Sequence, residues 1–141
     1  MSAMLLSQLL VSLVTVMIMI GPMVADFNAT HATNPLWTPH ARFHVVWQVF
    51  TNSSVAALSL YLLWGEGLFF LTFILNALWI GSFFATLVAM PRFEGSLADV
   101  NGIKPFLWRL GGRELKVDTN LFGACLMTVL MSLALWLRGG A

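Results

Sequence analysis

All three histidines of the chain fall within fourteen residues, at positions 31, 40 and 44. His40 and His44 are four apart, so on a helix they stack on one face. Imidazoles in that relation can chelate a transition metal, with His31 and Asp26 from the preceding segment completing the shell. Zinc, iron and copper all suit that donor set. The same pair suits proton transfer, because histidine titrates near neutrality. In that chemistry His40, His44 and Asp26 exchange protons, and Arg42 pairs with an anionic group. A plainer alternative is that the rings bond loop carbonyls and fix how the chain enters its helix.

The elements that must position these residues follow from composition. Hydrophobic residues make up 59% of the 141 residues and charged residues only 9%, against about a quarter charged in an average soluble domain. So apolar a chain cannot cover a water-facing surface with polar groups, which excludes a soluble globular domain. A single cysteine excludes a disulfide scaffold, and Cys125 is expected to be a small buried packing residue. The net charge of +1 gives no footprint for nucleic acid.

No Asp, Glu, Lys or Arg occurs from Met1 to Ala25, Phe43 to Gly65, Gly67 to Pro91 or Thr119 to Leu137. Each gap approaches or exceeds the roughly 20 residues a helix needs to cross a bilayer, and lipid requires backbone groups to pair within their own segment. The reading is an all-α integral membrane bundle, one domain over 1–141, with spans near 3–24, 40–64, 67–90 and 119–137. The first span lacks the basic start and cleavage site of a signal peptide and is read as a retained helix. Only Gly65, Glu66 and Gly67 separate the second and third spans, so these form a tight hairpin. Thr38 followed by Pro39 marks the start of the second helix, a hydroxyl N-cap before a proline at the first helical position.

Six of the seven basic residues, Arg42, Arg92, Lys104, Arg109, Arg113 and Lys116, fall on the side of the two long loops. Only Arg138 falls on the side of the termini. That bias places the loops in the cytoplasm and the termini outside, in a bacterial inner membrane. The long segment before the fourth helix includes Ile103-Lys-Pro-Phe-Leu-Trp-Arg-Leu110, which mixes bulky apolar and basic residues. It is expected to lie in the headgroup region and to end flexibly at Gly111-Gly112. It could also cover the histidines as a lid, bringing Glu94 or Asp99 close.

Steps of four from His44 reach Gln48 and Asn52 on the second helix. Polar side chains at such depth are costly against lipid, so the stripe of His40, His44, Gln48 and Asn52 is expected to point into the bundle. Asn76 lies at matching depth in the third span, and an Asn52–Asn76 hydrogen bond is the simplest pairing. Alternatively the stripe lines a cavity, where Gln48, Asn52 and Asn76 would face a bound ligand. Ala77, Gly81, Ala85 and Ala89 form a small-residue ridge suited to close helix contact.

The stretch Asp26-Phe-Asn-Ala-Thr-His31, then Asn34-Pro-Leu-Trp37, Pro39-His-Ala-Arg-Phe-His44 and Gln48 resembles the signature of an uncharacterised family of small four-helix membrane proteins. Its members occur in bacteria and fungi, and some carry an acetyltransferase label. The resemblance implies the four-span layout and no established activity. The residues show no acetyl-CoA-binding feature, so that activity is not carried over.

Two function classes follow. One is a small membrane enzyme, or a metal or cofactor binder, acting on a lipophilic molecule at the cytoplasmic interface. The other is an accessory subunit or homo-oligomer that packs against a membrane-protein partner through its polar stripe.

Overall fold

The computed structural model describes residues 2–98 and 104–140. It contains four long helices, α1 (Ala3–Asp26), α2 (Pro39–Trp64), α3 (Phe69–Ala89) and α4 (Thr119–Gly139). All four are long and apolar enough to cross a membrane. A single 3₁₀ turn follows α3 at Met90–Arg92.

Local chemistry sets the helix ends. Thr38 caps α2 by accepting the Ala41 amide at 3.2 Å, with Pro39 as the first helical residue. Asp118 caps α4 by accepting the amides of Asn120 and Leu121. Between α2 and α3 the chain reverses through Gly67 at φ +69°, a left-handed conformation that glycine adopts without a Cβ penalty.

The helices pack through a core at the end of the bundle that holds the α2–α3 turn and the termini. Val11, Val14 and Ile18 meet Leu63, Phe69, Met131 and Ala134 there. The Arg138 guanidinium lies over the Phe69 ring at 4.9 Å from its centre. Side-chain hydrogen bonds tie the helices pairwise. Ser7 donates to the Ala134 carbonyl at 2.7 Å, Trp64 Nε1 to Ser12 Oγ at 2.8 Å, and Thr72 to the Ser59 carbonyl at 3.1 Å. In an apolar medium such bonds satisfy groups that lipid would leave unpaired.

Three expectations about this frame are corrected. The segment before α4, expected as a loop in an all-α chain, contains an antiparallel hairpin, β1 (Phe106–Leu110) with β2 (Arg113–Val117). Gly111 (φ +55°) and Gly112 (φ +79°) make its two-residue turn, so they are a constrained reversal and not a flexible end. Phe106, Trp108, Leu110, Leu115 and Val117 share one hairpin face with Arg113 at its turn end, while Arg109 pairs with Glu114 on the other at 2.8 Å. Second, in the row Ala77, Gly81, Ala85 and Ala89 the first three are exposed and Ala89 is half-buried. The inward face of α3 is Phe69, Thr72, Asn76 and Ile80. Third, Cys125 is exposed on α4, not buried.

Candidate functional site

The opposite half of the bundle, at the end of the two long loops, is not filled. Large side chains pack the terminus-side end, whereas the facing positions here include Gly21, Ala25, Gly123 and Ala124. An open cleft of about 1070 Å³ results, bounded by all four helices. It runs along α1 from Val16 to Asp26, about 15 Å at the helical rise per residue.

Polar groups occupy defined positions in this cleft. Asn52 and Trp79 lie at its inner end near the middle of their helices, and Asp26 lies at its mouth. Trp79 Nε1 donates to Asn52 Oδ1 at 3.0 Å. The Asn52 amide nitrogen is buried and has no hydrogen-bond partner among the described residues. Gln48 lines the wall one turn nearer the mouth. On α3, Ser82 and Thr86 donate their hydroxyl protons to carbonyls of their own helix, at 2.8 Å each. Asn120 donates to the Leu97 carbonyl at 3.3 Å, tying the segment after α3 to the start of α4.

The expected polar stripe therefore divides. Asn52 is buried, but His40, His44 and Gln48 are exposed. The cause is helical geometry: each step of four residues overshoots a full turn by about 40°, so His40 and Asn52 are about 120° apart around α2. Asn52 and Asn76 are not bonded to each other. Asn76 turns instead to α1, donating to Thr15 Oγ1 at 2.8 Å and the Val11 carbonyl at 3.4 Å.

The histidines form two separate groups. His40 and His44 do share a face, with their Nε2 atoms 3.0 Å apart, so one ring donates to the other. They stand beside Phe43 and Trp47 on the exposed side of α2. His31 belongs to the loop after α1, where Nδ1 lies 2.7 Å from Thr30 Oγ1 and 3.8 Å from Asp26 Oδ1. Its ring packs edge-on against Trp37 at 5.1 Å. Among the described residues, no three His, Cys, Asp or Glu side chains converge as one metal shell. Both rings are exposed, so among the described residues no lid covers His40 and His44. Glu94 is an exposed residue at φ +54°, and Asp99 and Ile103 lie outside the described residues. Arg42 forms no ion pair among the described residues.

The loop itself is built by Asn28 and Asn34. Asn28 donates to the Val24 and Ala25 carbonyls at the end of α1 and accepts the Thr30 amide at 2.8 Å. Asn34, buried, donates to the Thr30 carbonyl and accepts the Leu36 amide. These bonds set the approach of the chain to α2 and hold His31 near Asp26.

Trp79 is the cleft residue the sequence reading missed. One signal was present: an indole N–H in the middle of an apolar span must find an acceptor at depth. Gly123 and Thr86 gave no comparable signal, because a glycine or a back-bonded threonine on an apolar helix is unremarkable until its neighbours are known.

No curated protein and no solved structure matches the chain. A family model covers residues 10–91, more than half of the chain, taking in α1 from Leu10 onward, the Asn28–Asn34 loop, α2 and α3. The chain belongs to that family, DUF6640, a family of unknown function.

Proposed function

We propose that this is an integral membrane protein that holds a lipophilic molecule in the cleft between the loop-side halves of its helices. The observation that carries this reading is the cleft itself. It has the volume of a ligand site, an apolar lining, and a few polar groups at its inner end and mouth. Of the residues first considered for acid–base chemistry, only Asp26 borders it. Binding is therefore favoured over turnover.

The basic residues support an orientation with both long loops in the cytoplasm and both termini outside, in a bacterial inner membrane. The cleft then opens toward the cytoplasmic leaflet. The apolar face of the β1–β2 hairpin suits contact with the membrane surface beside it.

Lipid extraction and mass spectrometry of gently purified protein test the reading. Gly123 lines the cleft and a Cβ placed there meets nothing within 4 Å, so Gly123→Phe adds bulk at the cleft wall from an unobstructed first atom. The wild type should retain one lipophilic class in near-stoichiometric amount, and Gly123→Phe should lose it at unchanged helicity. Equal retention by both proteins would overturn the reading.

A further inference from the structure

The inner end of the cleft constrains what chemistry a ligand can carry. Asn52 is only 8% exposed, and its Oδ1 is already engaged by the Trp79 indole. That bond orients the amide and leaves both Nδ2 protons without an acceptor in a buried position. An unpaired buried donor is destabilising, and a ligand acceptor would remove that penalty. The other polar groups on the α3 wall do not compete for that acceptor. Ser82 and Thr86 have already given their protons to carbonyls of α3.

Charge narrows the choice further. Among the described residues no Lys, Arg or His lines the cleft, and Asp26 is the one ionisable group there. A carboxylate or phosphate in the cleft would lack a counter-charge and would meet Asp26 at the mouth. Burying an unpaired anion is strongly unfavourable.

We propose that the cleft selects an uncharged lipid bearing a carbonyl oxygen, as in an ester, ketone or quinone, and that Asn52 Nδ2 donates to that oxygen. This rests on the cleft being a ligand site, and adds the class of ligand and the residue that reads it. Asn52 is then a specificity determinant. Trp79 is a positioning residue that fixes the amide's orientation.

The test uses the full chain in nanodiscs with ¹⁵N-labelled indoles, following the Trp79 Nε1–H resonance, assigned by its loss in Trp79→Phe. Four probes are titrated: decylbenzoquinone, a short-chain diacylglycerol, dodecylbenzene and palmitate. At least one carbonyl probe should shift the resonance saturably. The quinone and the diacylglycerol distinguish a free redox lipid from a bilayer ester as the source. Dodecylbenzene, which lacks the acceptor, should bind about tenfold more weakly, the loss of one buried hydrogen bond. Palmitate should not bind at pH 7. Asn52→Leu should bring the carbonyl probe down to the level of dodecylbenzene. The proposal is overturned if dodecylbenzene or palmitate matches the carbonyl probes on the wild-type chain, a comparison that needs no variant to fold. If dodecylbenzene enters but no carbonyl probe does better, the cleft reading stands and this inference alone fails. If no probe shifts the resonance, both fail.

Discussion

The indole of Trp79 donates to Oδ1 of Asn52 across the α2–α3 interface at 3.0 Å, leaving the Asn52 amide nitrogen buried without an acceptor. The contact is half a polar pair. Its stability consequence differs from that of the other buried asparagine, and the difference can be measured.

Asn52→Leu should cost little, because removing the unsatisfied Asn52 amide offsets taking the acceptor from the half-buried Trp79 indole. Hydrogen bonds of this kind average about 0.6 kcal/mol in membrane bundles. Equilibrium unfolding in mixed micelles should place the variant within about 1 kcal/mol of wild type. A larger loss would mean that Asn52 holds α2 to α3 structurally.

Asn76→Leu should be the more damaging change. Asn76 donates to both Thr15 and the Val11 carbonyl, joining α3 to α1, and the residue is 3% exposed in the core. The expected cost is about 1–2 kcal/mol, near the upper end measured for such bonds. The same unfolding assay checks the ranking, and Asn76→Leu behaving like Asn52→Leu would contradict it.

The exposed pair His40 and His44 should bind Ni²⁺ or Cu²⁺ as a two-ligand site. With metal–nitrogen bonds of about 2.0–2.1 Å, nitrogens 3.0 Å apart subtend about 95° at the ion. That angle fits neighbouring positions of a square-planar or octahedral shell better than a tetrahedral one. Isothermal titration should show weak binding that is lost in His40→Ala and in His44→Ala. His31→Ala should leave it unchanged, because His31 sits with Thr30 and Asp26 instead. Loss of binding in His31→Ala would restore a three-histidine shell.

The β1–β2 hairpin should depend on its glycines. Gly111 and Gly112 both hold positive φ, which alanine adopts only at a cost of about 1–2 kcal/mol per residue. Gly111→Ala with Gly112→Ala should open the turn and speed trypsin cleavage after Arg113. Gly111→Asn should not, since asparagine tolerates that conformation. Equal cleavage of all three proteins would contradict the turn.

Trypsin also reads orientation. Lys104 and Arg113 are exposed beside or on the hairpin. In the proposed topology, inside-out vesicles should be cut there and right-side-out vesicles protected. The reverse pattern would invert the topology.

How far the sequence determined the protein depends on the range of the physics involved. Charge-free runs long enough for a bilayer determined four helices, because backbone pairing in lipid is satisfied within each segment. The Thr38-Pro39 start of α2 and the His40–His44 pairing were likewise legible, since a cap and a four-residue spacing act over one turn. Which face each helix turns inward was not. A stripe at steps of four drifts around the helix, so His40 and Asn52 part company once neighbours choose a face. Asn76 found Thr15 rather than Asn52 for the same reason: α1, far away in sequence, packs against α3 and offers the acceptor. The cleft is a tertiary fact altogether. It exists because Gly21, Ala25, Gly123 and Ala124, drawn from two helices, leave a volume that Phe69, Leu63 and Met131 fill at the other end. No single segment records that difference.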